Sequence, residues 1–391
     1  MATHIAIGFS SADDPVTAFK EAAVMAKTQT GLPKNDLVMV AATPSHAAAA
    51  TAQGSANALD TVLRTLNPEQ LIGMIAPGLI WSEGAESKGV VILSLSSNEI
   101  SVGTTVQHSI SAQSLSETGL RFTRDLGAQM HTSQRQGAIL FCDTLILNHN
   151  QLIQGLQEGL GPAFPIAGAI TPGGIFCQNQ LHTDAIGGLL IGGNGSFVTS
   201  MRHGWQPLGK PRVIDDSAVN TIRTIDGKPA VSIYQEYFPE RFSQSQFELL
   251  GNIGSLYPLG INTSRPKEYI IKCPTSVLHD GSLVCQGNVP RGSRVHLMIG
   301  DKDACRQAAY AAAVDIRDQL HGKHPKLVII FASIARRKLY GRSAWQEINQ
   351  IKEVLGLACP VFGMYTYAEI GATSDLELQP HNASVLIAAI G

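Results

Sequence analysis

Short apolar runs recur along the chain in a fixed order. Each copy of the pattern has an apolar strand, a helix-length segment, a second apolar strand that contains a glycine and ends in a turn, and a final apolar strand. The three copies place these strands at residues 36–42, 71–77 and 89–95, then 137–142, 165–172 and 185–190, and finally 326–332, 360–367 and 383–389. Because order and spacing agree in three places, we interpret the pattern as an internal repeat.

Each copy is also preceded by one short strand and one helical segment. The lead-in strands are predicted at residues 4–9, 99–104 and 294–300. Asp14 is the predicted N-cap of the first of these helices, and Asp303 that of the alanine-rich helix in the third copy. The predicted fold class is therefore α/β, with repeated strand-helix-strand-helix-strand-strand units that form layered mixed β-sheets flanked by helices.

A stretch of different pattern separates the second copy from the third. It contains short β runs with turns between them, at residues 257–261, 268–272 and 283–287. We interpret this stretch as a degenerate unit and place the domain boundary between about residues 195 and 230, beyond the glycine-rich turn at 192–195. The predicted domains are residues 1–205, with two repeat units, and residues 206–391, with the degenerate unit and the third repeat unit.

Composition and charge exclude several classes of partner. The chain has 391 residues, a formal net charge of −2 and no basic stripe, so we expect no nucleic-acid partner. Its apolar runs are too short to span a bilayer, and the N-terminus leads into a strand without a signal-peptide pattern. We therefore expect a cytoplasmic protein that does not bind membranes. The six cysteines are scattered without a CxxC pair, which argues against a disulfide framework.

The third copy differs from the other two where its second strand ends. The first two copies have an apolar turn there, closed by Pro77 and Pro172, whereas the third has the sequence GMYTYAEIG at residues 363–371. Alternation along an extended strand would place Tyr365 and Tyr367 on one face. A basic segment also follows the first strand of this copy, and a His-Asn pair precedes its last strand.

These polar residues form the predicted binding site. Ligands usually lie at the carboxyl ends of strands in α/β sheets, where an arginine can hold a carboxylate and Glu369 can receive an ammonium group. The predicted ligand is a small molecule such as an amino acid or a small carboxylate. Alternatively, Glu369 and one arginine pair with each other and the tyrosines serve packing. The candidate ligand-binding residues are Arg336, Tyr365, Tyr367, Glu369, His381 and Asn382.

An enzyme acting at the same cleft, a hydrolase or lyase of a small metabolite, is the alternative function. Ser45 and His46 are adjacent, but neighbours on a strand point to opposite faces, and Cys142-Asp143 lies at a strand end. The sequence contains no GxSxG, phosphate-loop or GxGxxG motif, and its histidines lack metal-ligand spacing. We therefore expect no cofactor and no metal, and we assign no catalytic residue.

Three segments resemble a known family. Residues 363–370, followed by His381-Asn382 and a terminal apolar strand, resemble the closing signature of the FIST domain. Residues 224–230 (TIDGKPA) resemble the entry to its C-terminal half, and residues 166–169 with 185–189 resemble its N-terminal half. The chain departs from the family pattern at Ala368, where glycine is frequent, and at residues 333–336, where a cysteine is absent.

The resemblance implies a sensory module that binds small ligands such as amino acids. The two predicted domains then correspond to the FIST N-terminal and C-terminal halves. Because the resemblance covers most of the chain and leaves no room for an output domain, we expect a stand-alone module that acts through a signalling partner protein. The departure at residues 333–336 excludes any role that depends on a thiol there.

Overall fold

The computed structural model describes residues 3–48, 58–110, 114–143, 149–239, 250–372 and 378–391. The first two repeat units follow one another along the chain. The first unit comprises β1 (His4–Ser10), α1 (Pro15–Thr30), β2 (Asn35–Ala42), α2 (Pro44–Ala47), α3 (Ala58–Leu66), β3 (Pro68–Ile75), β4 (Leu79–Trp81), β5 (Gly84–Glu86) and β6 (Val90–Ser96). The second comprises β7 (Ile100–His108), α4 (Leu115–Ala128), β8 (Arg135–Cys142), α5 (His149–Leu160), β9 (Ile166–Ile170), β10 (Ile175–Cys177), β11 (Gln180–His182) and β12 (Ala185–Gly193).

The third unit begins with one strand, is interrupted by an inserted sheet, and then resumes. Its first strand is β13 (Phe197–Arg202). The insertion comprises β14 (Gln206–Ala218), β15 (Thr221–Ile225), β16 (Lys228–Pro229), α6 (Ser232–Tyr237), α7 (Leu250–Leu256), β17 (Leu259–Asn262), β18 (Tyr269–Lys272), β19 (Pro274–Val277), β20 (Leu283–Cys285) and β21 (Arg294–Ile299). The unit then continues with α8 (Lys302–Gln319), β22 (Leu327–Ser333), α9 (Ile334–Tyr340), α10 (Trp345–Leu355), β23 (Val361–Thr366), β24 (Ala368–Ala372), β25 (Leu378–His381) and β26 (Val385–Ile390).

The three units exchange hairpins in a cycle. Their own strands form sheets of identical order, β1-β6-β2-β3, β7-β12-β8-β9 and β13-β26-β22-β23. Each sheet is then extended by a hairpin from another unit: β10-β11 joins β3, β24-β25 joins β9, and β4-β5 joins β23. The predicted α/β class with mixed sheets is confirmed, and the hairpin between the second and last strands of each unit is an addition to the predicted pattern.

The recurring glycine of each copy lies where a parallel strand pair meets the exchanged hairpin. Gly73, Gly168 and Gly363 are paired on one side with β2, β8 and β22, and on the other side with the incoming hairpin. A Cβ atom at Gly73 would lie 1.8 Å from the carbonyl oxygen of Val40, so only glycine fits the backbone there.

Replacing these glycines with alanine should destabilise the protein in a graded order. The added Cβ atom would come within 1.8 Å of a backbone oxygen at Gly73 and 2.3 Å at Gly363, but at Gly168 its nearest contact is a side-chain atom at 3.0 Å. We expect Gly73→Ala and Gly363→Ala to lower the free energy of unfolding by about 1–3 kcal/mol. Urea denaturation should show a smaller loss for Gly168→Ala, and equal losses at all three sites would contradict this account.

The lead-in strand of the third unit differs from the prediction. Strand β13 takes that position, since Phe197 pairs with Ile390 in the same way as His4 pairs with Ser96 in the first unit. Residues 294–300 instead contribute β21, which pairs with β14 and β17 in the inserted sheet. Both segments are short and apolar, so their pattern does not reveal which sheet each one joins.

The insertion lacks the parallel strand pair that characterises the units. Its described strands pair antiparallel in the order β18-β17-β21-β14-β15-β20-β19, whereas β2-β3, β8-β9 and β22-β23 are parallel. The predicted boundary at 205/206 falls between β13 and β14, so the third unit lies on both sides of it. The division into domains 1–205 and 206–391 stays a prediction.

N-cap side chains stabilise the helices of the units, and a shared apolar core joins their sheets. The side chain of Asp14 accepts a hydrogen bond from the Thr17 amide, as predicted, whereas α8 begins one residue before Asp303 and is capped by Asp301. The inner faces of the three unit sheets meet in one apolar core, where the rings of Phe141 and Phe331 pack edge to face. Helices cover the outer faces.

Within the described ranges, no helix is both long and apolar enough to cross a bilayer.

Candidate functional site

A cleft of about 800 Å³ lies between the third unit and the inserted sheet. One wall is the segment from the end of β13 to the start of β14, and the opposite wall is the turn that leads into β18. One face of α8, the last residues of β24 and β25, and Ser384 between β25 and β26 complete the lining. The cleft therefore lies where the insertion leaves the third unit, beside the polar residues that distinguish this copy from the other two.

Two imidazoles lie on the wall of the cleft. The Nδ1 atom of His203 accepts a hydrogen bond from the backbone amide of Trp205 at 3.0 Å, so its Nε2 atom carries the proton. Burial lowers the pKa of His203 to about 4, and the charge of Arg336 contributes to this shift. Burial also lowers the pKa of His381, with further contributions from Lys272 and His203. Both rings are therefore neutral near pH 7.

His381 lines the cleft and has one buried ring nitrogen without a partner among the described residues. Its side chain is buried, and its Nε2 atom makes no hydrogen bond within the described part of the chain. A buried nitrogen without a partner is unfavourable unless a ligand or water meets it. His381 is thus a suitable hydrogen-bonding group for a molecule that occupies the cleft.

The rim of the cleft is basic. Arg202, Arg265 and Lys267 line it together with a single carboxylate among the described lining residues, Glu268. Arg202 also forms an ion pair with Asp315 at 2.6 Å. An excess of cations around a concave surface attracts anionic molecules. The rim therefore favours a ligand that carries a carboxylate or another acidic group.

The buried carboxyl group of Glu369 does not line the cleft but is hydrogen-bonded to a residue that does. The hydroxyl of Ser384, which lines the cleft, donates to Glu369 Oε2 at 2.5 Å, and the Thr366 hydroxyl donates to Oε1. The backbone amide of Ser384 also donates to Oε2, at 3.3 Å. Burial raises the pKa of Glu369 to about 8, although these hydrogen bonds oppose the shift. The carboxyl group is therefore mostly protonated near pH 7, and the hydrogen bond from Ser384 connects it to the cleft wall.

Arg336 lies in the interior rather than on the cleft. Its guanidinium is fully buried and forms an ion pair with Glu347, which also accepts a hydrogen bond from the Tyr340 hydroxyl at 3.1 Å. Its remaining donors bind the backbone carbonyls of His203, Cys305 and Ala383. The arginine does pair with a glutamate, but with Glu347 and not with Glu369. Because it holds the carbonyl of His203, it positions one wall of the cleft.

The remaining predicted residues lie outside the lining. Tyr365 is buried beneath the guanidinium of Arg337, 5.5 Å from the ring centre, and its hydroxyl has no partner among the described residues. Asn382 accepts from the Cys273 amide at 3.0 Å and donates to Gln286 and to the carbonyl of Tyr367, so it ties the insertion to the third unit. The Tyr367 side chain is half-buried.

Of the six predicted residues, the structure thus places His381 on the cleft and Glu369 directly behind it. Sequence reasoning missed the wall residues His203, Tyr269 and Ser384 and the rim cations. His203 would have been found if β13 had been identified as the lead-in strand, since it follows that strand directly. Over the described residues, no group of three histidine, cysteine, aspartate or glutamate side chains could hold a metal ion.

Comparisons with known proteins identify the family. The FIST N domain matches residues 36–228, and the FIST C domain matches residues 230–372. Among solved structures, cyanuric acid hydrolase from A. caulinodans aligns with 100% of this chain and 99% of its own at 7% identity and a TM-score of 0.42. A second cyanuric acid hydrolase structure aligns over 100% of both chains at 10% identity and a TM-score of 0.38.

No curated protein sequence matches the chain. The two family matches together run from residue 36 to residue 372, with only residue 229 between them. They include residues 166–169, 185–189 and 363–370, whereas His381-Asn382 and the terminal strand lie beyond the matched range. FIST domains are in general sensory, ligand-binding modules. The resemblance inferred from those segments is confirmed, and the chain belongs to the FIST family.

Proposed function

We propose that the chain is a sensory protein that binds a small metabolite, such as an amino acid or another small carboxylate, in the cleft and acts through a signalling partner protein. The observation that carries this proposal is the combination of two neutral imidazoles on the wall with a basic rim. Rim cations attract a carboxylate, and the Nε2–H of His203 is a hydrogen-bond donor for its oxygens.

The residues behind the wall support this site in different ways. His381 contacts the ligand directly in our proposal, whereas Glu369 acts through the hydroxyl of Ser384. Arg336 fixes the backbone at His203, and Asn382 fixes the junction between the insertion and the third unit. A ligand that contacts both the third unit and the inserted sheet would favour one arrangement of the two. A sensor needs such a difference in affinity between its two conformations.

Thermal-shift measurements with amino acids and small carboxylates test this proposal. At least one compound should raise the melting temperature, because a ligand that binds only the folded chain stabilises it. Gln307 is exposed on the face of α8 that lines the cleft. We expect Gln307→Glu to weaken binding of a carboxylate on the order of tenfold through like-charge repulsion.

The control variant is Lys302→Met, an exposed residue of the same helix that does not line the cleft. It should leave binding unchanged. The proposal fails if no compound in a broad metabolite panel stabilises the chain, or if both variants respond alike to the compound that does.

One observation favours a hydrolase or lyase as a second candidate function. The Ser384 hydroxyl lines the cleft and donates to Glu369, whose pKa of about 8 suits proton transfer near neutral pH. An enzyme would consume the stabilising compound in a chromatographic assay, and Ser384→Ala would abolish that consumption. Binding without consumption supports the sensory function instead.

A further inference from the structure

A serine and a histidine that are neighbours in the sequence contact each other in the first unit. Ser45 and His46 lie in the short helix α2 and not on a strand, so their side chains are not forced to opposite faces. The Oγ atom of Ser45 lies 3.1 Å from Nδ1 of His46. Ser45 is exposed, whereas the ring of His46 is completely buried. An accessible hydroxyl is thus hydrogen-bonded to a buried imidazole.

A backbone carbonyl decides which nitrogen of this imidazole carries the proton. The Nε2 atom of His46 lies 2.9 Å from the carbonyl oxygen of Ala12. A carbonyl oxygen can only accept, so the proton is on Nε2 and Nδ1 is left as an acceptor. A hydroxyl beside an accepting imidazole, whose other nitrogen is held by a third group, is the arrangement that activates a nucleophile.

Thr43 is the second hydroxyl near Nδ1. Its Oγ1 atom lies 3.0 Å from Nδ1 and 3.4 Å from the Oγ atom of Ser45. Thr43 also has an alternative partner, because its hydroxyl can donate to the carbonyl of Gly89 at 3.3 Å while Oγ1 accepts from the Gly89 amide at 3.1 Å. When Thr43 donates to Gly89, the Nδ1 atom is available to the proton of Ser45.

The third unit has no such pair at the corresponding positions. The register of β2 on β3 and of β22 on β23 aligns Ser45 and His46 with Ala335 and Arg336. Arg336 also donates to a backbone carbonyl that follows the first strand of its unit, so this structural contact is common to both units. A guanidinium has no acceptor nitrogen, and alanine has no hydroxyl. The nucleophile and the base therefore distinguish the first unit from the third.

We propose that Ser45 is a nucleophile that takes an acyl group from an aryl ester or a thioester, with His46 as its general base. The Ser45 Oγ atom bonds to the carbonyl carbon, the bond from that carbon to the leaving oxygen or sulfur breaks, and the serine proton passes through His46 Nδ1 to the leaving group. The products are acyl-Ser45 and a phenol or a thiol. Neither residue is among the described lining residues of the cleft, so this activity goes beyond the function proposed there.

The burial of the ring limits the class of acyl donor. Complete transfer of the proton would place a charge on a ring without exposed surface, which is unfavourable. The carboxylate of Asp13 interacts with His46 but is also paired with Lys88 at 2.6 Å, so it compensates only part of this charge. A phenolate or a thiolate departs as a stable anion, whereas the amine of an amide must be protonated as it leaves. Activated esters therefore suit this site, and amides do not.

Acetylation of the full chain by p-nitrophenyl acetate and by S-phenyl thioacetate tests the proposal, with peptide mass spectrometry to locate and time the acetyl groups. Ser196 is the internal control, since it is also exposed and its hydroxyl contacts no imidazole among the described residues. We expect Ser45 to be acetylated on the order of 10²-fold faster than Ser196, which is the lower end of what a positioned general base contributes.

Two variants assign this reactivity to the pair. Ser45→Ala should remove the rapidly formed acetyl group, and Ser196→Ala should leave it in place. His46→Gln keeps a donor for the carbonyl of Ala12 but has no basic nitrogen, so it should slow acetylation of Ser45 to the rate of Ser196. If His46→Gln does not fold, as judged by circular dichroism, the comparison of the two serines within the wild-type chain still decides.

Equal rates at Ser45 and Ser196 with both reagents would overturn the inference. A folded His46→Gln chain that keeps rapid acetylation of Ser45 would overturn it as well. Acetyl groups on Ser384 and not on Ser45 would contradict it and would support the second candidate function of the cleft instead.

Discussion

Arg336→Met should lower the free energy of unfolding by about 3–5 kcal/mol, because it leaves the carboxylate of Glu347 buried without its ion-pair partner. Both side chains are fully buried, and three backbone carbonyls lose a donor at the same time. Denaturation with urea measures the change. The Tyr340 hydroxyl still donates to Glu347 in this variant but cannot replace the lost charge.

Two further variants make this prediction specific. Lys338→Met removes a cation from an exposed position of the same helix and should change stability by less than about 0.5 kcal/mol. The double variant Arg336→Met/Glu347→Leu should recover much of the loss, because apolar residues of similar volume can replace a buried ion pair. If Arg336→Met is no more destabilising than Lys338→Met, the arginine is not a structural ion-pair partner, and its predicted role as a ligand-binding residue returns.

The repeat could be predicted from the sequence because its strands are continuous apolar runs with a glycine at a fixed place. The hairpin exchange could not. Gly73, Gly168 and Gly363 fit between two backbones in each case, but nothing in a strand's own pattern says that the second backbone comes from another unit. The partner of an edge strand is decided by the assembled fold.

The candidate site was predictable where polarity breaks the repeat. Glu369 stands out because the equivalent hairpin positions of the other units hold the apolar Leu79 and Ile175. His381, in contrast, has polar counterparts in Glu86 and His182. The structure places Glu369 behind the cleft and His381 on it. Arg336 stands out because it belongs to a basic segment that the other copies lack, yet its partner Glu347 lies on the next helix. A buried arginine with a distant carboxylate and a ligand-binding arginine have the same local sequence. Ser384 carries no signal before its contact with Glu369 is known.

The stability of the protein should carry a pH dependence that originates at Glu369. Its folded-state pKa of about 8 lies above the ordinary value of 4.5. At a pH between these two values, the folded chain therefore keeps a proton that the unfolded chain has lost. The stabilisation is fully present below about pH 4.5 and is lost as the pH rises through 8. The expected slope approaches about 1.4 kcal/mol per pH unit within this window.

Glu369→Gln isolates this effect. Glutamine keeps the shape of the neutral acid, and Thr366 can accept a hydrogen bond from it because the Thr366 hydroxyl can donate instead to the carbonyl of Ala332, at 3.4 Å. The lowered pKa values of His203 and His381 act in the opposite direction, since they remove stability as the pH falls, but they cancel in the difference between variant and wild type.

We therefore expect the stability of Glu369→Gln relative to wild type to rise steadily from pH 5 to pH 8, as measured by urea denaturation at each pH. Glu353→Gln, which removes an exposed carboxylate, should show no such trend. A flat difference for Glu369→Gln would mean that the carboxyl group is already ionised in the folded chain. In that case the hydrogen bonds from Thr366 and Ser384 outweigh the burial of the charge, and the cleft contains a permanent anion behind Ser384. Such an anion would favour a ligand with an ammonium group over a simple carboxylate.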